Sequence, residues 1–226
     1  MSDRPSPEAR ATGAAATPSR PGRPRHFSMV RDFRVADFLT LGNGFAGMGA
    51  ILATLEYLVS GDTTFLQLAF GLLPVALACD VLDGRVARIR HEVSMLGQEL
   101  DSLADLVSFG VAPAVLGFAT GMRGGWDAPA LIYFVGCGLS RLARYNATAA
   151  SLSDASGKVR YFEGTPIPTS LLLAGLLAAL AWAGRIGAAL PFGAYALGPW
   201  TLHPLVLMFV VSGSAMVSKT LRIPKP

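Results

Sequence analysis

Apolar residues in this chain fall in long runs, not at alternating or regular helical spacing, and short polar stretches part the runs. "FLTLGNGFAGMGAILATLEYLV" and "FLQLAFGLLPVALAC" show the pattern. A helix needs roughly 20 mostly apolar residues to cross ~30 Å of hydrocarbon. On that measure the sequence predicts six spans: Phe38 to Val59, Thr64 to Ala87, Leu100 to Thr120, Ala128 to Arg144, Pro168 to Ala183 and Tyr195 to Val217. The fold class expected is therefore an all-α integral membrane protein.

Composition points the same way. Hydrophobic residues make up 52% of the 226 residues and charged residues only 15%, where soluble domains carry about 25%. Mean hydropathy is +0.46. Residues 1–25 differ in kind: they are rich in Pro, Ala, Arg and Ser, with no apolar period. Such a stretch cannot bury enough surface to order itself, and it lacks the apolar core of a signal peptide. It reads as a disordered basic tail in the cytoplasm.

Within 26–37, Phe27, Val30, Phe33 and Ala36 recur at helical spacing with Arg31 and Arg34 between them. That suits an amphipathic helix lying in the membrane interface; a basic linker is the alternative. Residues 38–218 then form the membrane domain and 219–226 a short C-terminal tail. With the N-terminus placed inside, all of the 19 Lys and Arg fall on the cytoplasmic side except Arg123 and Arg185. This asymmetry predicts six crossings with both termini cytoplasmic, in the inner (plasma) membrane of the cell. Cys79 and Cys137 have no metal spacing and read as buried free thiols.

Charge inside the apolar pattern is concentrated in "DVLDGRVARIRHEVSMLGQELDSLAD", from Asp80 to Asp105. Intramembrane carboxylates are costly and face a partner, a cavity or an ion. On a helix Asp80 and Asp83 (i, i+3) share a face, and so do Asp101 and Asp105 (i, i+4) on the next. Two helices joined by a short turn can point all four at one another. Four close carboxylates cannot all stay ionised without compensation. Two divalent cations, expected to be magnesium or manganese, would balance them, although hard oxygen donors suit calcium as well. Such a pair would clamp a diphosphate during displacement at phosphorus. Gly84 leaves room for a ligand against the helix, and Arg88 can pair with phosphate oxygens. The alternative is an interhelical salt-bridge network with Arg85, Arg88 and Arg90.

The full spacing is Asp80-x2-Asp83-Gly84-x2-Ala87-Arg88-x8-Gly97-x3-Asp101-x3-Asp105. It resembles the signature of the CDP-alcohol phosphatidyltransferase family at every fixed position. The resemblance implies a six-helix membrane enzyme, usually a homodimer, that cleaves a CDP-linked lipid and releases CMP. It implies that Asp80, Asp83, Asp101 and Asp105 bind two divalent cations and that Asp105 is also the general base. Gly84, Ala87 and Arg88 would contribute to the CDP site, and Gly97 to close packing or ligand approach.

Further segments resemble the phosphatidylserine synthase branch: "DSLADLVSFGVAPA" (101–114), "RLARYN" (141–146), "FEGTPIP" (162–168) and "LTLGN" (39–43). In the last of these, Thr40 and Asn43 are implied to lie near the nucleotide, although Ala36-Asp37 stand where that branch commonly has Pro-Asn. The expected substrates are then CDP-diacylglycerol drawn from membrane lipid and L-serine, with no nucleic-acid partner.

Serine is a zwitterion. Arg141 and Arg144 are candidates for its carboxylate or for a lipid phosphate, and Asn146 and Glu163 for its ammonium. Another acceptor, such as glycerol 3-phosphate or inositol phosphate, would use the same chemistry. A divalent-cation transporter is the rival of a different class, but spans two and three carry no further acid towards the outer side.

Pro166 and Pro168 suit the rigid start of a helix. Gly117, Gly121 and Gly125 fit either close helix packing or a loop. His26, His91 and His203 read as interfacial or packing residues, and Pro204 is expected to kink span six.

Overall fold

The computed structural model describes residues 35–90, 95–152, 161–218 and 222–224. The basic tail, residues 26–34 of the expected amphipathic helix, His26, His91, Lys158, Arg160 and most of the C-terminal tail lie outside the described residues. The architecture is helical. α1 spans Val35–Ser60 and α2 Thr63–Arg90. α3, Met95–Asp105, runs through a π-helical stretch, Leu106–Val111, into α4, Ala112–Ala119. α5 spans Asp127–Leu152 and is followed by a three-residue strand β1, Tyr161–Glu163. A 3-10 turn, Ile167–Thr169, leads into α6, Ser170–Trp182. Strands β2 (Tyr195–Leu197) and β3 (Trp200–Leu202) pair as a hairpin. α7 covers Leu207–Val217 after a 3-10 turn at Pro204–Val206, and β4 is Arg222–Pro224.

Three stretches among the described residues are long and apolar enough to cross a membrane: Val35–Ser60, Thr63–Ile89 and Met95–Ala119. Two shorter apolar helices, Ile167–Trp182 and Pro204–Val217, accompany them. The chain is therefore a helical membrane protein, with two small antiparallel strand pairs, β1–β4 and β2–β3, that hydropathy did not reveal.

Local chemistry accounts for several boundaries. The Asp62 carboxylate accepts from the Thr64 N–H at 2.8 Å and so caps the start of α2. The π stretch lies just ahead of Pro113, which has no N–H to give to the turn below it. The ladder widens there: the Ala112 N–H donates to Val107 O, five residues back. Span six is shorter than expected. Residues from Tyr195 to Leu202 are not helix, because Gly198 adopts φ +62° and Pro199 follows it, a pairing that makes a hairpin turn. Pro204 does not kink the last helix; it opens the 3-10 turn that leads into it.

The core is formed by small and aromatic residues. Phe109, Phe134, Phe209, Leu73 and Leu116 are fully or nearly fully buried, and Phe134 meets Phe209 edge to face at 5.2 Å. Gly117 is a packing glycine, since a Cβ there would stand 3.0 Å from the Phe209 ring. Gly121, at φ +128°, belongs to the loop after α4. That loop is tied down by Asp127, which is fully buried. Its carboxylate accepts from the Gly124 and His203 N–H groups at 2.7 and 2.9 Å and lies 2.6 Å from His203 Nδ1. Cys79 and Cys137 are free.

The tightest helix crossing is at Gly47. A Cβ there would sit 2.7 Å from the Ser108 Cα and closer still to its Oγ. Ser108 Oγ donates to Asn43 O at 2.9 Å, so α1 lies directly on the π stretch. Gly47→Ala should therefore cost about 1–3 kcal/mol through overpacking. Gly175→Ala, where nothing lies within 4 Å of the added carbon, should be neutral or slightly stabilising. Thermal unfolding of the two variants in detergent checks the contrast.

Candidate active site

Four elements converge at the end of the molecule where α1 begins and α2 ends. α2 brings Asp80 and Asp83, α3 brings Asp101 and Asp105, α5 brings Arg141, and the turn before α6 brings Pro166 and Pro168. They enclose a cavity of about 440 Å³. The carboxylates of Asp80, Asp101 and Asp105 form its acidic wall, each with an oxygen within 4.8 Å of the others. Gly84 and Arg88 line the same cavity, together with Ser102 and Tyr145. A Cβ on Gly84 would meet nothing within 4 Å among the described residues beyond its own stretch of helix, so this glycine answers no packing demand from them. Its bare backbone faces open space.

Asp83 lies outside the three-oxygen cluster. It is buried, and its Oδ2 accepts from Thr40 Oγ1 at 2.7 Å. Asn43, fully buried on α1, donates through Nδ2 to Asp105 Oδ1 at 3.0 Å. Thus Thr40 and Asn43 both reach the site, and their side chains are engaged with carboxylates. The amide thus holds Oδ1 of Asp105.

No salt bridge among the described residues joins the four aspartates to Arg85 or Arg88. The Arg88 Nε donates to Gly84 O at 2.9 Å instead. Three buried polar atoms at the site have no hydrogen-bond partner among the described residues: Asn43 Oδ1, Asp101 Oδ1 and Arg141 Nε. A buried group left unmatched costs about 1–3 kcal/mol. An orphaned carboxylate oxygen beside two further carboxylates is the donor set a hard divalent cation requires. The residues present thus fit a metal held by Asp80, Asp101 and Asp105. The orphaned guanidinium N–H of Arg141 is correspondingly placed for an anion.

The remaining expected residues are less central. Ala87 is half-buried on α2, and Gly97 sits in the first turn of α3. Arg144 is exposed on α5 and does not line the cavity. Asn146 is occupied by α3: its Oδ1 accepts from Ser102 Oγ at 3.1 Å and its Nδ2 donates to Glu99 at 3.2 Å. Of Glu163 only the backbone is described, in β1 opposite Arg222. Gln98, Ser102, Leu142 and Tyr145 line the cavity without having been singled out from sequence. Helical spacing could have found three of them, since Gln98 lies three residues before Asp101, Ser102 three before Asp105 and Tyr145 four after Arg141.

Outer partners that orient a metal ligand typically govern affinity by 10–100-fold. Asn43→Ala should therefore weaken manganese(II) binding about ten-fold or more, and Asp101→Asn at least as much. Titration followed by the electron-spin resonance of free manganese(II) reads both.

Sequence comparison agrees with this geometry. The pattern of the CDP-alcohol phosphatidyltransferase family matches residues 33–211. A CDP-diacylglycerol–serine O-phosphatidyltransferase of Saccharomyces cerevisiae is 46% identical over 204 residues, covering 89% of this chain and 74% of the relative. The protein of that name from Mycobacterium leprae is 35% identical over 205 residues, and the match spans 89% of this chain and 61% of the relative. An archaetidylserine synthase of Methanothermobacter thermautotrophicus is 33% identical over 149 residues, spanning 63% of this chain and 59% of the relative. With the pattern matched across most of its length and the carboxylates gathered at one cavity, the chain belongs to the CDP-alcohol phosphatidyltransferase family.

Proposed function

We propose that this protein transfers the phosphatidyl group of CDP-diacylglycerol to the hydroxyl of L-serine, giving phosphatidylserine and CMP. The observation that carries the reading is the cavity in which Asp80, Asp101 and Asp105 face Arg141. Three relatives whose names specify serine as acceptor support this choice of alcohol.

Divalent cations, two in our reading and magnesium or manganese by donor chemistry, would neutralise the diphosphate and draw charge from phosphorus. Asp80, Asp101 and Asp105 would hold the first, and Asp83, fixed by Thr40, would complete the donor set.

The chain's own groups supply the rest. Gly84 lets the diphosphate lie against α2, and Arg88 meets its oxygens. Thr40, Asn43, Ala87 and Gly97 frame the nucleotide end. Arg141 takes the serine carboxylate or the lipid phosphate, with Arg144 behind it at the rim. Asn146 and Glu163 remain the candidates for the ammonium. Asp105, with one oxygen held by Asn43, receives the serine hydroxyl proton on the other. The serine oxygen then bonds to the phosphorus that bears diacylglycerol. The bond from that phosphorus to the CMP oxygen breaks, and CMP leaves.

Six crossings, a homodimer and a cytoplasmic active site in the plasma membrane belong to the same proposal. The distribution of Lys and Arg along the chain supports the orientation.

Asp105→Asn should lower turnover by about 100-fold or more while CDP-diacylglycerol binding stays near wild type. CMP release and equilibrium binding, measured in parallel, separate the two. Wild-type turnover in that variant defeats the base assignment. An acceptor panel scored by lipid product should give phosphatidylserine from serine, and little product from glycerol 3-phosphate or inositol phosphate. The opposite ranking overturns the acceptor while leaving the transfer chemistry in place.

A further inference from the structure

The end of the molecule opposite the carboxylates has its own character. No Asp, Glu, Lys or Arg occurs between Ile186 and His203, although the segment connects two helices and most of it is exposed. Phe192 is 72% exposed, Tyr195 57% and Trp200 49%, and Trp182 just before the segment is 74% exposed. A connection bathed in water would be expected to carry charged and small polar side chains, not this composition.

The flanking helices supply an independent argument. At 1.5 Å per residue, Ile167–Trp182 and Pro204–Val217 reach only roughly 25 Å or less, short of the ~30 Å of hydrocarbon. α1, with 26 residues, is roughly 39 Å long. α6 starts and α7 ends at the carboxylate end, where Pro166 and Pro168 line the cavity and the Thr165 N–H donates to Ala215 O, so the segment that joins their far ends cannot stand clear of a ~30 Å hydrocarbon layer on the other side.

The hairpin is built for that position. Its backbone groups are partly satisfied by the β2–β3 pairing of Tyr195 with Leu202 and Leu197 with Trp200. Trp126 closes it further: its N–H donates to Thr201 O at 3.1 Å and its Nε1 to Leu197 O at 3.0 Å. The Trp126 and Trp200 rings meet edge to face at 5.0 Å. Arg123 and Arg185 lie three residues from Trp126 and Trp182 in sequence, and Arg123 donates to the Phe118 and Ala119 carbonyls at the end of α4.

We infer that the Pro191–Leu202 hairpin, with Trp126 and Trp182, is an interfacial anchor seated among the lipid headgroups and upper acyl chains of the bilayer face opposite the active site. The partner is the lipid surface itself, recognised through amphipathic aromatic rings that favour this depth. The inference goes beyond the transferase reading and does not depend on which alcohol is the acceptor.

All three tryptophans of the chain, Trp126, Trp182 and Trp200, lie at this end, so the intrinsic fluorescence of the unaltered protein reports on this end alone. The protein is reconstituted into phosphatidylcholine vesicles brominated either high on the acyl chains or near their ends. Shallow bromines should quench about half of the emission or more, and deep bromines clearly less, while aqueous acrylamide quenches weakly. A variant keeping only Trp200 (Trp126→Phe with Trp182→Phe) should repeat the result. Strong acrylamide quenching with no effect of bromolipid would show an aqueous loop and overturn the inference. Protection from both quenchers would show a protein partner or a second copy on the patch, and overturns it equally. Phe192→Trp in a chain with the three native tryptophans changed to Phe reads the exposed segment that leads into the hairpin if Trp200 proves needed for its fold.

Discussion

Helix α1 and the π stretch after Asp105 touch through Gly47 and Ser108 with no side chain to separate them. That approach brings the start of α1 over the carboxylates: Asn43, one turn from Gly47, bonds Asp105, and Thr40 bonds Asp83. Ser108 seals the contact by donating to the Asn43 carbonyl, so the residue that orients Asp105 is itself held by the chain three residues beyond Asp105. A bulkier residue at Gly47 would push α1 outward and break both amide and hydroxyl contacts with the carboxylates. The geometry of the acidic cluster thus rests on a steric condition met some distance from it.

The charge arrangement follows from that packing. Buried acids are tolerated when hydrogen bonds or opposite charges offset the lost hydration. Here the offset is partial by construction. Asp83 and one oxygen of Asp105 are served by α1, whereas Asp101 Oδ1, Arg141 Nε and the Asn43 Oδ1 itself have no partner among the described residues. Unmatched polar atoms thus occur on α1, α3 and α5 alike, each a buried group whose lost hydration no hydrogen bond among the described residues repays.

Much of this could be read from the amino-acid order, for reasons particular to each part. The aspartate spacing was informative because i, i+3 and i, i+4 positions share a helix face whatever surrounds them, and Asp80, Asp101 and Asp105 do meet at one cavity. The membrane-length helices α1 and α2 were legible because so long an apolar run would be costly to keep in water. The hairpin from Tyr195 to Leu202 was not, since apolar content alone cannot separate a membrane helix from an apolar turn, and the Gly198-Pro199 pair carried the missing information. The Asn43–Asp105 bond, 62 positions apart, and the Gly47–Ser108 contact depend on how helices cross, which no local pattern records. Asn146 was legible as a polar residue at the right end of α5, but not as one already engaged by Ser102 and Glu99.

Gly84 carries a consequence for how this chain can vary. Several of its helical glycines, Gly47 and Gly117 among them, stand against a neighbouring helix, but Gly84 lines the cavity, and among the described residues nothing outside its own stretch of helix lies within 4 Å of an added carbon. Packing among the described residues therefore places little demand on it, and under the proposed function the demand would come from the substrate in the cavity. Positions of this kind separate two selective pressures that core residues confound. A library scored once for abundance in the membrane and again for turnover would outline the substrate as the set of residues that fail only the second score, drawing the footprint of the ligand in sequence space.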